Sequence, residues 1–259
     1  MTRKRTPGTA ASHAAKPAKM RLDLLLVERG LAPSRERAQA LLLAGQVCVN
    51  DLTLHKAGSQ VAADARIEVT GPAQRYSSRG GLKLEGALED FAVAPRDKVC
   101  LDIGSSTGGF TDCLLQHGAR RVYAIDVTIA QLDWKLRRDS RVIPMECNAR
   151  YLKPGDVPEP AALVVMDVSF ISATKVLPAV SNLAASGADL LILVKPQFEL
   201  EARSVGKGGI VRDPALHQRA VAQVAAAART AGLEVVGVRP SRVAGSSGNQ
   251  EFFLHARRP

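Results

Sequence analysis

The chain has 259 residues, 46% of them hydrophobic, enough to bury one large core or two smaller ones. Its 35 Lys and Arg against 25 Asp and Glu leave a formal charge of +10, which suits contact with a polyanion. The four cysteines form no Cys-x-x-Cys pair and the five histidines show no ligand spacing, so neither a disulfide framework nor a metal site is expected. Cys48, Cys100 and Cys147 sit beside hydrophobic or strand-like sequence and read as small buried side chains. The apolar runs, such as 161–166 and 190–194, fall far short of the roughly 20 residues that span a bilayer. No apolar signal core follows the basic N-terminus, so a cytoplasmic protein is expected.

Residues 1–19 carry Arg3, Lys4, Arg5, Lys16 and Lys19 with no acid among them, and read as a disordered basic arm. Residues 20–72 form a compact unit. Leu22, Leu25 and Leu26 predict a helix over 21–29, stopped by Gly30. Ser34 caps a second helix bearing Ala38, Leu41 and Leu42 on one face. Strands are expected at 47–49 and 67–69, with Asn50-Asp51 as a turn. Arg35 and Gln39 lie four apart and share the exposed helix face. Arg21, Arg35, Arg37 and Lys56 then make one positive surface suited to phosphate. Residues 73–77 read as a linker.

From residue 78 to the end, strands alternate with helices. Strands are expected at 98–103, 121–126, 142–145, 161–168, 189–195, 234–240 and 252–255. Helices are expected at 112–117, 131–138 and 215–231. This order predicts an α/β fold, a Rossmann-like doubly wound parallel sheet preceded by the small α/β unit.

Such a sheet takes its ligand at the carboxyl ends of its strands. There lies the loop Gly104-Ser105-Ser106-Thr107-Gly108-Gly109-Phe110, where glycines let backbone approach a ligand. Asp126 closes the next strand and can accept from both ribose hydroxyls. Dinucleotides and S-adenosylmethionine both use this arrangement. The spacing G-x-x-x-G-G is not the dinucleotide pattern, and S-adenosylmethionine has no phosphate that would need a helix N-terminus. Asn148, after the third strand, is placed for the adenine edge. S-adenosyl-L-methionine is therefore the expected cofactor, held by Gly104, Ser105, Thr107, Gly108, Gly109, Phe110, Asp126, Asn148 and Asp167.

Lys83, Asp167, Lys195 and Glu251 are the candidate catalytic residues. Asp167 and Lys195 each end an apolar strand, Glu251 begins the last one, and Lys83 sits near the domain entrance. Exocyclic-amine methylation would want Asn-Pro-Pro-aromatic where this chain has Asp167-Val168-Ser169-Phe170. Methylation at a pyrimidine carbon would need a cysteine there.

Several motifs are familiar. Arg21-Leu22-Asp23, Ser34-Arg35-Glu36-Arg37-Ala38-Gln39, Gly45-Gln46-Val47 and Val49-Asn50 resemble the S4-like RNA-binding module. Ser78-Arg79-Gly80-Gly81-Leu82-Lys83-Leu84, the stretch 102–112, Gln131-Leu132-Asp133-Trp134-Lys135-Leu136-Arg137, Asp167-Val168-Ser169-Phe170-Ile171-Ser172 and Val194-Lys195-Pro196-Gln197-Phe198-Glu199 resemble the FtsJ-like ribose 2'-O-methyltransferases. Together the chain resembles the TlyA, or hemolysin A, family. The resemblance implies methylation of cytidine 2'-hydroxyls in ribosomal RNA by a Lys-Asp-Lys-Glu tetrad. It implies ribosomal RNA and ribosomal subunits as partners, no membrane, and RNA contacts from Arg21, Ser34, Arg35, Arg37, Gln39, Lys56, Arg79 and Lys207. In this tetrad Lys195 is the expected base, Lys83 the cation beside it, Asp167 its orienting group, and Glu251 the group that holds a lysine or the hydroxyl in line. Val127-Thr128-Ile129-Ala130 stands where the family tends to have glycines. The basic, glycine-rich stretch 199–214 is expected to close over RNA. Rival functions are a membrane-active hemolysin and a non-catalytic RNA-binding protein.

Overall fold

A computed structural model of the chain describes residues 19–43, 45–69, 75–245 and 248–259, in two compact units that divide after Ala73. The basic arm lies outside the described residues except for Lys19, which opens a strand.

In the first unit, β1 (Lys19–Arg21) leads into α1 (Leu22–Glu28) and α2 (Arg35–Leu43). Then come β2 (Val47–Val49), β3 (Leu52–Thr53), β4 (Gln60–Ala62) and β5 (Ile67–Val69). β2 lies between β3 and β5, and β1 pairs with β4. The first helix is shorter than the expected 21–29, because Arg21 is extended and pairs with Gln60. Ser34 Oγ accepts the Arg37 N–H at 3.3 Å, the cap its position predicts. Asn50 and Asp51 both have left-handed φ, 47° and 67°, which lets two residues reverse the chain from β2 to β3. Leu22, Leu25, Leu26, Ala38, Leu41 and Leu42 meet Val47 and Val49 in the core.

The second unit contains α3 (Gly80–Asp90), β6 (Val99–Ile103), α4 (Gly109–Gln116), β7 (Arg121–Asp126), α5 (Trp134–Arg138) and β8 (Val142–Glu146). β9 (Ala161–Met166), α6 (Leu177–Ser181), β10 (Ala184–Val194), α7 (Pro196–Glu199), α8 (Pro214–Thr230), β11 (Glu234–Pro240) and β12 (Phe252–Arg257) follow. One seven-stranded sheet has the order β11-β12-β10-β9-β6-β7-β8. It is not wholly parallel as expected: β12 runs antiparallel to both β10 and β11. The described residues between β11 and β12 form no crossover helix, and a short return favours antiparallel pairing.

The strands are buried on both sides. Leu101 and Ile103 face α6 and α8 with Val164 and Ile192, while Cys100, Val165 and Leu191 face α3 and α4 with Leu84 and Leu114. That two-sided burial makes near-continuous apolar strands, as in 161–166.

Three expectations are corrected here. Tyr76 and Ser77 are not linker: Tyr76 is buried against Gly81, where a Cβ would stand 2.2 Å from its ring, and the Ser77 N–H donates to Asp112. The helix expected over 131–138 begins only at Trp134, because Asp133 Oδ1 caps it by accepting the Lys135 N–H. Cys48 and Cys147, expected to be buried, are half-buried, whereas Cys100 is fully buried.

Candidate active site

β6 lies between β9 on one side and β7 on the other, so the order of connection reverses at its carboxyl end. Such a switch point opens a crevice. Gly104 leaves β6 with φ 86°, and a Cβ there would stand 2.5 Å from the Asp167 carbonyl oxygen. Gly108, with φ 92°, is the cap of α4, and a Cβ there would meet Leu136 at 2.2 Å and Leu132 at 2.8 Å. Gly109 presses on Ser78. The glycines were expected to admit a ligand, yet each is already required by a protein neighbour. Gly108 also faces away from the cavities, toward α5.

Two adjoining cavities share Gly104, Ser106, Asp167, Ser169 and Phe170. The smaller, about 320 Å³, is walled by Ile125, Val168 and Ala149 and carries Asp126 and Asn148. Asp126 Oδ2 accepts the Ser106 N–H at 2.9 Å and Oδ1 the Thr128 N–H at 3.2 Å. Asn148 Oδ1 accepts the Arg150 N–H, which leaves its amide NH₂ as the group for a ligand. The residues after Asp126 stand as a 3-10 turn, Ile129–Gln131, held by Glu146, whose Oε2 accepts the Ile129 N–H at 3.0 Å.

The larger cavity, about 620 Å³, brings together all four expected catalytic side chains. Lys83 comes from α3, Asp167 from the end of β9, Lys195 from the end of β10 and Glu251 from the residue before β12. They form two ion pairs. Lys83 Nζ donates to Glu251 Oε2 at 2.6 Å, and Lys195 Nζ lies 2.5 Å from Asp167 Oδ1. Lys195 also donates to Ser169 Oγ at 2.7 Å. Lys83, expected as a cation, is held by Glu251, the group expected to hold a lysine or the hydroxyl in line. Ser169 escaped notice in the sequence as a site residue; its signal is its place two residues after Asp167.

Arg79, Ser105, Thr107, Gly109 and Phe110 line this cavity as well. Ser105 Oγ is buried and has no hydrogen-bond partner among the described residues. Beneath it Asp102 is fully buried, accepts from Thr111 Oγ1 at 2.6 Å, and is pushed by burial up to about 7. Phe170 is 93% exposed in a left-handed conformation, φ 63°, with its ring 5.3 Å from that of Phe198. Asn249, buried and likewise missed from the sequence, donates to the Gly209 carbonyl and accepts the Val211 N–H. It ties the stretch 199–214 to the turn before Glu251. The Lys207 side chain lies outside the described residues.

Residues 76–258 match the model of the FtsJ-like methyltransferases, and residues 20–67 match the S4 domain. The chain belongs to the FtsJ-like methyltransferase family. Its cofactor is S-adenosyl-L-methionine. The methyltransferase is 47% identical to the 16S/23S rRNA (cytidine-2'-O)-methyltransferase TlyA of Mycobacterium tuberculosis, over 92% of this chain and 89% of the relative. It is 41% identical to Hemolysin A of Brachyspira hyodysenteriae, over 91% and 99%. A solved structure of a hemolysin-named protein from Streptococcus thermophilus superposes with a TM-score of 0.73 at 41% identity, over 94% of this chain and 90% of that one. Among the described residues no helix is long and apolar enough to cross a membrane.

The expected RNA-binding residues of the first unit divide into two groups. Arg21, Arg35 and Gln39 share a buried acceptor, Asp23. Arg21 grips it through Nε at 3.0 Å and Nη2 at 2.9 Å, Arg35 through Nε at 2.8 Å and Gln39 at 3.3 Å. The Arg21 guanidinium in particular holds the Asp23 carboxyl far below the usual carboxylate range, against the cost of burial. Part of the expected phosphate surface therefore has a structural task. Lys56 and Arg37 make no ion pair among the described residues.

Proposed function

We propose that the chain transfers a methyl group to the 2'-hydroxyl of cytidine in ribosomal RNA, working on ribosomal subunits in the cytoplasm. The observation that carries the reading is the pair of ion pairs, Lys83–Glu251 and Lys195–Asp167, converging on a cavity that adjoins the one holding Asp126.

The residues present fit S-adenosylmethionine. Ser105 Oγ, buried without a partner, is a polar atom awaiting a ligand. Asp126 retains lone pairs for ribose hydroxyls beyond its two backbone donors. Ile125, Val168 and Ala149 offer apolar walls for a purine ring, and Asn148 a polar edge. Gly104, Thr107, Gly109 and Phe110 border the methionine end, and Gly108 supports the loop from behind. S-adenosylmethionine supplies an electrophilic methyl carbon on a sulfonium.

A ribose hydroxyl is a weak nucleophile until its proton leaves. Lys195 Nζ is the base that takes that proton. Asp167 and Ser169 fix its Nζ, so the hydroxyl oxygen meets a base of set position. Glu251 fixes Lys83, whose ammonium donates to the ribose. Arg37, Lys56, Arg79 and Lys207 contact phosphates. Arg21 and Arg35, each with donors to spare beyond Asp23, and Ser34 and Gln39 add to that surface.

The test is to map ribose methylation in ribosomal RNA from cells with and without the gene, and in subunits treated with the purified protein. A 2'-O-methylcytidine that depends on the protein is the expected result. Its absence in both experiments, with RNA still bound, leaves the non-catalytic RNA-binding reading in its place.

A further inference from the structure

We propose that Glu199 is a positioning residue that sets the alignment of Lys195 and Asp167 by clamping the loop after β9 onto α7. The inference rests on the reading of that pair as the reactive one.

Two segments border the reaction cavity at their starts and leave it at their far ends. One begins at Asp167 and runs through Ser169 and Phe170 to Ser172 and Ala173. The other begins at Lys195, the cap of the four-residue helix α7, and ends at Glu199. The segments are joined at their starts by the Lys195 contacts to Asp167 and Ser169. They meet midway through the rings of Phe170 and Phe198. At their far ends Glu199 Oε1 accepts the Ala173 N–H at 2.9 Å, and its Oε2 accepts the Ser172 hydroxyl.

Each of the other two joins is weak by itself. Phe170 is almost wholly exposed and its backbone is left-handed, a conformation that persists only where the surroundings enforce it. The Lys195 contacts must loosen when the amine engages a substrate hydroxyl. The Glu199 clamp is the join that chemistry leaves untouched. It also places a carboxylate where burial pushes it above its usual range, with the Ser172 and Ala173 bonds pulling the other way. Glu199 is half-buried, and its two hydrogen bonds offset the cost of taking the carboxylate out of water. α7 is a single turn, closed by the Phe198 N–H on the Lys195 carbonyl at 2.9 Å and the Leu200 N–H on the Pro196 carbonyl at 3.1 Å, and a helix that short is marginal by itself. Glu199 touches neither cavity and so acts only through the loop.

The conservative variant is informative. In Glu199→Gln the amide oxygen still accepts the Ala173 N–H. Its NH₂ donates to Ser172 Oγ, which can turn its own hydrogen toward Thr174 Oγ1, 2.6 Å away. Glu199→Ala has no such substitute.

The experiment compares both variants by methyl transfer to ribosomal subunits and by amide hydrogen exchange of the free protein. Glu199→Ala is expected to lower kcat about 100-fold. The KM values for S-adenosylmethionine and RNA should stay within about threefold. Exchange should quicken at Ala173 while β6, β9 and β10 keep their protection. Glu199→Gln should recover most of kcat and the protection of Ala173. Wild-type kcat in Glu199→Ala overturns the proposal. So does a loss of kcat in Glu199→Gln as large as in Glu199→Ala, or loss of protection across the whole sheet in Glu199→Ala. If the wild-type protein methylates no ribose, the functional reading fails, while the exchange at Ala173 still reports on the clamp.

Discussion

Lys83 and Glu251 stand 168 residues apart along the chain and 2.6 Å apart in the fold. Both are buried, so neither charge has water to fall back on. Removing one partner of such a pair leaves the other uncompensated. Lys83→Met is expected to destabilise the protein by about 3–5 kcal/mol and to stop methyl transfer. The double variant Lys83→Met/Glu251→Leu should regain much of the stability and none of the activity. Urea denaturation measures the first and a methyl-transfer assay the second. A double variant no more stable than the single would remove the pairing argument.

Lys195→Ala should abolish methyl transfer. S-adenosylmethionine binding should change little, since Asp126 and the 104–110 loop are untouched. Isothermal titration with the cofactor and single-turnover methylation separate the two. Full activity in this variant would take Lys195 out of its role.

The contact between Gly104 and Asp167 is tested by adding one methyl group. Gly104→Ala puts a Cβ 2.5 Å from a backbone oxygen, in a left-handed conformation. The strain is about 1–3 kcal/mol, and the relief available is to move Asp167. Both the melting temperature and kcat should fall. If the variant keeps wild-type values for both, the packing of the loop is looser than the geometry described.

Asp102 predicts a pH dependence. Its folded value, about 7, lies above the ordinary 3.8. The folded protein therefore holds this proton more tightly than the unfolded chain does. The stability this confers is complete below about pH 4 and is lost as pH rises through about 7. Asp102→Asn cannot ionise but still accepts from Thr111. Its stability relative to wild type should increase between about pH 4 and pH 7 and level off above that. Unfolding free energies measured across that range check this, and parallel profiles would refute it.

In the first unit, Asp23→Ala removes the shared acceptor of Arg21, Arg35 and Gln39. A loss of about 2 kcal/mol is expected in a fragment spanning residues 19–73, read by denaturant unfolding. Arg37→Ala and Lys56→Ala should leave that stability unchanged and weaken RNA binding, with a smaller dependence on salt. If Arg37→Ala instead unfolds the fragment as readily as Asp23→Ala, the division of labour drawn above is wrong.

Much of this was legible beforehand because it rests on local rules. Alternating strand and helix patterns gave the doubly wound sheet. Ser34 gave its cap and Asn50-Asp51 its turn. The helices α3, α6 and α7 were not foreseen. Gly80 and Gly81 disguise the start of α3, and glycine there is demanded by Tyr76, a neighbour outside the helix. α6 and α7 have five and four residues, too few for periodicity to register.

By itself, the sequence determined the chemistry at each strand end: a glycine loop after β6, Asp126 closing β7, Asp167 after β9 and Lys195 after β10. These positions follow from strand periodicity, which is a property of neighbours along the chain. Only the tertiary structure decided how those groups share their charges. It paired Lys83 with Glu251 and Lys195 with Asp167, gave Arg21 and Arg35 a common carboxylate, and turned β12 antiparallel. Distance between remote residues depends on how the sheet closes and what burial allows, and no local pattern encodes it.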